Sequence, residues 1–388
     1  MDQGTTATSR EGLSTLVAIG DIGRFPLDCV AGPLPAGRAA RCSIRRYGVA
    51  MNAGTVGRRT WFKRVGALAL AGAGAAGTPG HAWAAEVLKI ATLYPKTSPW
   101  GEVLSTWERA VKEKSGGRIE LQTFYNGYYG DEAAMAGLIR EGSLGGAVMS
   151  SVGLAKFHQP ILALQMPGLF TTWAKLDAAR DAMRPEFEAG LRDAGTTVIG
   201  WYDVGMVSAF SRGFPVRAPA DFKGRKPWQW RDDAIVKHFF QAIGGVTPVP
   251  LNVAEVLSAL DSGAVNALLQ SPLAAEQFQW AAKLDRVTDL VFGPSVGAIV
   301  ISKKQLDAIP ADLRQIVLDT GKVAASALKN RIRTEDAAAL ARLKDRMTVV
   351  TLTAEERNWW SGRFKRTREL LAQGTFSPEL VTRLESMA

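Results

Sequence analysis

Trp228 and Trp230 stand two residues apart in Lys226-Pro227-Trp228-Gln229-Trp230. In an extended chain that spacing puts both rings on one face, with Gln229 and Arg231 on the other. Two amphipathic rings on one surface can stack on a small solute, or they can simply pack a domain core; neither role breaks a bond. The groups that usually carry reactions are scarce. Both cysteines, Cys29 and Cys42, fall in the first 50 residues, so the rest of the chain has no thiol nucleophile, thiolate metal site or disulfide. Beyond residue 84 the histidines are His158, beside Phe157, and His238, on an amphipathic stretch, and they lack metal-ligand spacing. Gly72-Ala73-Gly74-Ala75-Ala76-Gly77 spells a dinucleotide-binding turn but has no strand before it and no βαβ unit around it. Gly293-Pro294-Ser295-Val296-Gly297 spells a nucleophile elbow, yet the β-rich Ala298 to Ser302 follows where that device needs a helix. The residues therefore predict no catalytic group, no metal site and no cofactor.

The elements that must position the tryptophans can be read around them. Lys226 to Trp230 reads as a strand. Asp232 or Asp233 then caps a helix carrying Ile235, Val236, Phe239, Phe240 and Ile243, and Gly244-Gly245 ends it. Asn252 caps a second helix with Val256, Leu257 and Leu260, Gly263 stops it, and Val265 to Leu269 resumes an extended buried run. Strands alternating with helices imply an open α/β sheet. In such sheets ligands sit beyond the carboxyl ends of strands, which would bring Trp228, Trp230, Gln270 and Ser271 together. Upstream, strands are expected at Leu88 to Leu93, Ile119 to Phe124 and Ala147 to Ser150, with a helix presenting Val103, Leu104, Trp107 and Val111. The chain should cross between two halves near Asp203 to Phe210 and again near Phe292 to Val300. A long helix from Ala311 to Lys344 should bury Ile316, Val317, Val323 and Leu328.

Charge and leader narrow the class. The formal charge of +10 is mostly upstream: 37 lysines and arginines against 33 acidic residues follow residue 84, a surplus of 4. So modest a surplus, with no basic stripe, argues against nucleic acid. The basic cluster Arg363 to Arg368 reads as a solvated helix face. Arg58-Arg59-Thr60-Trp61-Phe62-Lys63, an apolar run from Val65 to Gly77, and the small-x-small site Ala82-Trp83-Ala84 read as a twin-arginine-like signal peptide over 51–84, cut after Ala84. The run is too short to span a membrane, so a soluble, monomeric mature protein in the periplasm is expected. Residues 1–50 read as a non-native or unstructured extension. The remainder divides into domain one at 85–204, domain two at 205–295, and a return crossing with the bracing and C-terminal helices at 296–388.

The order Lys89-Ile90-Ala91-Thr92, Lys114-Ser115-Gly116-Gly117-Arg118, Gly142-Ser143-Leu144, Met166-Pro167-Gly168-Leu169-Phe170, then Gly244-Gly245, Pro250-Leu251, Glu255-Val256-Leu257, Pro272-Leu273-Ala274-Ala275 and Ile301-Ser302-Lys303-Lys304 resembles the solute-binding proteins of tripartite ATP-independent periplasmic (TRAP) transporters. The resemblance implies a two-lobed periplasmic-binding-protein type II-like α/β fold with a long helix bracing both domains. It also implies capture of a small polar solute, an organic acid by family expectation, and delivery to membrane permease subunits. Sialic-acid-type members hold the carboxylate with two arginines; Trp228 and Met206 stand at those positions here, and Gln270-Ser271 replaces a Glu-Asn pair. The chain is thus similar to a Lys-x-Trp-x-Trp subgroup. The resemblance places the ligand among Tyr94, Ser98, Trp100, Ser150, Ser151, Asp203, Met206, Trp228, Trp230, Gln270 and Ser271, with Asp203 either facing the cleft or capping a turn. Arg231 or Lys96 could meet a carboxylate. A periplasmic sensor presenting solute to a receptor, and an exported oxidoreductase, are the competing readings.

Overall fold

The computed structural model describes residues 85–388. The expected leader and cleavage site, both cysteines and the Gly72 to Gly77 run lie outside the described residues. Strand β1 (Glu86–Thr92) leads into the helix Pro99–Lys114, whose first turn is fixed by Ser98 accepting from the Gly101 amide and by Pro99 at the first helical position. Leu104, Trp107 and Val111 are buried one turn apart, the spacing of a single helix face. Strand β2 (Ile119–Phe124) returns parallel to β1 in the register Glu86↔Ile119, and β3 (Gly146–Ser150) lies parallel on the other side of β1. All five β3 residues are buried, as expected of a parallel strand covered on both faces.

Strand β4 (Thr196–Ser211) is 16 residues long and pairs antiparallel with β9 (Gly293–Ser302) from Thr196↔Ser302 to Val207↔Gly293. Its last four residues pair with β7 (Ala267–Gln270), and Phe210 and Ser211 also meet β8 (Arg286–Thr288), which carries β10 (Thr348–Val350) at its edge. The sheet therefore runs β10-β8-β4-β9-β3-β1-β2, with β7 also on β4. The long pair β4 and β9 joins a first lobe built on β1 to β3 to a second built on β7, β8 and the small parallel ribbon of β5 (Trp228–Trp230) and β6 (Val249–Leu251). A bulge between Asp203 and Gly205 bends β4 between the two parts. Gly205, at φ 143°, is needed there: a Cβ would stand 2.5 Å from both Asp336 Oδ1 and Ser271 Cβ.

The elements expected around the tryptophans form. Asp233, rather than Asp232, caps the helix Ala234–Ile243 by accepting from the Ile235 and Val236 amides, and Gly244 follows it at φ 72°. Asn252 is the N-cap of Val253–Ser262, where its amide donates to Glu255 Oε2, and Gly263 ends that helix in the left-handed conformation. The expected strand from Lys226 is shorter by two residues, because Pro227 makes one isolated bridge to Ala267.

The bracing helix spans Ala311–Arg346, 36 residues, or about 54 Å at 1.5 Å per residue. Its first half packs on the helix Pro99–Lys114, where Trp107 Nε1 donates to Thr320 Oγ1 at 3.1 Å, and its second half packs on Pro272–Gln277. Val317 and Leu328 are buried and Ile316 is half-buried, but Val323 is 70% exposed. The correction follows from the period: Gly321, Ala324 and Ala325 face the sheet, and Val323 points away from them. Small residues are required because the helix lies directly on β4, where a Cβ on Gly321 would stand 2.2 Å from Ile199 Cγ2. A third core gathers Phe222, Phe239, Phe240 and Phe292 with Trp360 and Phe364 of the helix Ala354–Leu371 in edge and stacked contacts.

Candidate functional site

A continuous line of rings runs from one lobe to the other. Trp100 stacks on Tyr94 with centroids 4.2 Å apart and planes 3° apart, and Tyr94 meets Phe278 at 6.2 Å. Phe278 stacks on Trp280 at 4.9 Å, Trp280 abuts Trp228 edge-on at 5.1 Å, and Trp228 stacks on Trp230 at 6.3 Å and 23°. The structure thus connects the four aromatic residues picked from the sequence. Phe278 and Trp280 link them and were missed, since they follow a helix too short to show a period. Trp228 is buried, with its indole N–H donating to the Leu251 carbonyl, so one of the paired rings also serves the core.

Beside the tryptophan pair lies a cavity of about 80 Å³, walled by Val152, Gln165, Asp233, Phe239, Gln270 and Ser295 among others. One water needs about 10–15 Å³ by the same measure, so the cavity can take a small group. It forms where the first lobe, the second lobe and the β4–β9 pair meet, with Val207 and Gly293 contributing from the crossing strands. Most of the wall is apolar. Its polar groups are Asp233, the amides of Gln165 and Gln270, and Ser295. Gln165 Oε1 accepts from the Val296 amide at 2.9 Å and Gln270 Oε1 accepts from the Ser271 amide at 2.8 Å, which turns both amide NH₂ groups away from those bonds as available donors. Asp233 is half-buried and forms part of the cavity wall. Burial pushes its carboxyl up to about 6, against two helix amides that favour the ionised form. Ser295 lies in extended strand opposite Gly205, not on a tight turn before a helix, so the elbow spelling has no elbow.

The remaining sequence-picked residues are placed elsewhere. Ser98 is buried as a helix cap, its hydroxyl donating to the Pro95 carbonyl at 2.6 Å. Ser150 donates to Glu132 Oε2 at 2.7 Å, and Ser151 is buried with no partner for its hydroxyl among the described residues, as is the Trp100 indole N–H. Ser271 caps Pro272–Gln277. Met206 approaches through its backbone, whose amide donates to Asp336 Oδ2 at 2.9 Å. Asp203 departs most from expectation. It is fully buried, with Oδ1 accepting from Arg180 and Oδ2 from Arg333, each at 2.6 Å, and Arg333 is also bound to Asp177. Both oxygens face guanidinium groups, and its full burial gives a solute no surface to meet. Arg231 pairs with Glu255 at the surface, and Lys96 lies over the Tyr125 ring. His158 and His238 stand apart, His158 against Phe187 and His238 bonded to the Ala234 carbonyl.

Three carboxylates matter that the sequence did not single out. Asp131 caps the helix Glu132–Glu141 in the first lobe and reaches across to the second: Oδ1 accepts from Trp230 Nε1 at 3.1 Å and Oδ2 from the Val253 amide at 3.0 Å. With the Lys156–Asp232 pair at 2.7 Å, it holds the lobes against each other. Glu132 accepts from the Ser150 and Gly153 amides and the Ser150 hydroxyl, and burial pushes its carboxyl up to about 7. Asp336, on the bracing helix, accepts from Met206 and Leu273 and is pushed up to about 7 by the same cause. Among the described residues no helix is long and apolar enough to cross a membrane and no cluster of side chains could hold a metal ion.

The arrangement can enclose and orient a small molecule; it contains no nucleophile held by a base. Comparison with known proteins agrees with that chemistry. A solute-binding protein of Verminephrobacter eiseniae is 26% identical over 260 residues, covering 66% of this chain and 76% of its own. The C4-dicarboxylate-binding periplasmic protein of Rhodobacter capsulatus is 25% identical over 292 residues, covering 71% of this chain and 83% of its own. The crystal structure of a TRAP periplasmic solute-binding protein from Sulfurospirillum deleyianum with bound succinate superposes with a TM-score of 0.73 at 19% identity, covering 79% of this chain and all of that one. Residues 90–371 match the family model of bacterial extracellular solute-binding protein, family 7, and the chain belongs to that family of TRAP solute-binding proteins.

Proposed function

We propose that the chain is the extracytoplasmic solute-binding subunit of a TRAP transporter, which captures a small polar solute between its lobes and delivers it to a membrane permease. The observation that carries this reading is the partly open cavity at the junction of the two lobes and the β4–β9 crossing, lined by rings and single polar groups. The relatives named above point to an organic acid, since one is described by C4-dicarboxylate binding and another holds succinate. Solute binding favours the closed arrangement through contacts it makes with both lobes at once, and the closed surface is what the permease receives. The protein performs no chemistry on its solute, needs no cofactor, works as a monomer and does not bind nucleic acid. The leader read over 51–84 would export it to the periplasm. The tryptophan pair and Gln270 are the parts of the expected pocket retained in this reading, and Val207, next to Met206, joins them.

Deletion of the gene, followed by growth on single carbon and nitrogen sources, tests the assignment. Loss of growth on a narrow set of solutes, restored by the chain only when the permease genes are intact, is the expected result. Unimpaired uptake together with a lost transcriptional or chemotactic response would replace transport by sensing.

A further inference from the structure

This inference rests on the solute-binding reading and concerns what the solute must carry. The wall of the cavity has no lysine, arginine or histidine; its ionisable group is the carboxylate of Asp233. Asp233 Oδ1 takes both helix amides, Ile235 at 2.8 Å and Val236 at 3.2 Å, and Oδ2 has no hydrogen-bond partner among the described residues. Of the cations on the surrounding elements, Lys156 pairs with Asp232, Arg231 with Glu255, Arg363 with the Ala242 carbonyl, and Arg368 with the Pro167 carbonyl and Glu385; Lys237, on the helix that follows Asp233, is exposed and is not part of the wall. A solute anion entering this cavity would meet a carboxylate and no guanidinium, a like-charge contact in a poorly hydrated space. A solute cation would meet the reverse. Both tryptophan N–H groups point outward, to the Leu251 carbonyl and to Asp131, so the rings face the cavity as apolar, electron-rich surfaces. The Gln165 and Gln270 NH₂ groups add donors for one oxygen on the same molecule.

We propose that the cavity takes a solute bearing a protonated amine, seated on Asp233 Oδ2 beside Trp228 and Trp230, with an oxygen acceptor held by the amides of Gln165 and Gln270. Amino acids and amino alcohols have this chemistry; a plain dicarboxylate does not. Burial raises the carboxyl of Asp233 although two helix amides favour its ionised form, so a cation beside it would further stabilise the charge.

The test is competitive native mass spectrometry of the purified full chain in an equimolar mixture of small amino acids, their decarboxylated amines, their deaminated acids, succinate and galacturonate. Dominant adducts that carry an amine support the proposal. Dominance of deaminated acids, succinate or galacturonate overturns it and leaves solute binding intact. No adduct from any compound overturns both. For an amine ligand so found, Asp233→Asn should weaken binding at least tenfold by titration calorimetry while keeping the helix cap, since asparagine caps as well as aspartate. The exposed Asp261→Asn change, outside the cavity wall, should leave affinity within twofold. Equal affinity of Asp233→Asn and the unaltered chain would overturn the proposal even with an amine bound.

Discussion

Replacing Asp203 by asparagine should cost the fold far more than it costs solute capture. The carboxylate is fully buried and is the shared anion of two guanidinium groups, Arg180 and Arg333, at 2.6 Å each. Arg180 itself is 2% exposed, so it cannot turn to water when the charge opposite it disappears. Asp177 would remain to face both arginines, and it already accepts from each. Removing one partner of a buried pair costs about 3–5 kcal/mol because the other charge stays desolvated. At about 2–4 °C per kcal/mol for a fold of this size, the melting temperature should fall by roughly 10 °C. Urea unfolding followed by tryptophan fluorescence reads the loss directly. The double variant Arg180→Met with Asp203→Leu should recover much of it, since well-packed apolar replacements of buried pairs are often neutral or better. A loss below about 1 kcal/mol, the value of a surface pair, would refute the buried network. Abolished solute binding at unchanged stability would refute it equally, by returning Asp203 to the cavity.

Other outcomes follow from the same contacts. Asp131→Asn cannot accept from the Val253 amide with its NH₂ group; the lost charge-assisted bond, about 1.5–3 kcal/mol, should weaken solute affinity about 10- to 100-fold and show in the dissociation rate by stopped-flow fluorescence, whereas unchanged kinetics would mean that Asp131 does not hold the lobes together. Glu132 and Asp336 are raised to about 7 and Asp233 to about 6, all above their unfolded values. The folded state therefore binds protons more tightly, and this contribution, full below about pH 4, is lost as pH rises to about 7. Melting temperature should accordingly increase as pH is lowered from 8 to 5, and a steady fall over that range would contradict the burial of these groups. Gly321→Val should destabilise by about 1–3 kcal/mol or more, because its Cβ would stand 2.2 Å from Ile199 and 3.1 Å from the Trp107 ring. Gly137→Ala, in a helix with nothing within 4 Å of the new methyl, should instead stabilise by about 1 kcal/mol. Thermal melts compare the two.

What the sequence made legible was local. The caps at Asp233 and Asn252, the stop at Gly263 and the bracing helix, expected to Lys344 and observed to Arg346, all follow from spacing within a few turns. The alternation of these segments was enough to indicate an α/β architecture. The misplaced residues share one cause, which is partners far away in the chain. Arg180 and Arg333 reach Asp203 from 23 and 130 residues away, and no period in the sequence links them. Val323 looked apolar and was counted inward, but the face toward β4 is set by how closely the sheet lies and selects Gly321, Ala324 and Ala325 instead. Asp131 and Glu132 carry no local signal that sets them apart, and their roles come from Trp230, Val253, Ser150 and Gly153. Gln165 reached the cavity by way of its bond to Val296, 131 residues on.

The central claim is capture of one small solute by one chain. Native mass spectrometry of the protein purified from its native host, with denaturing release and identification of whatever leaves it, tests that most directly. A single small-molecule adduct per chain that disappears on unfolding is the expected result. A chain free of any adduct, whose melting temperature then stays flat across acids, sugars and amines, would contradict it.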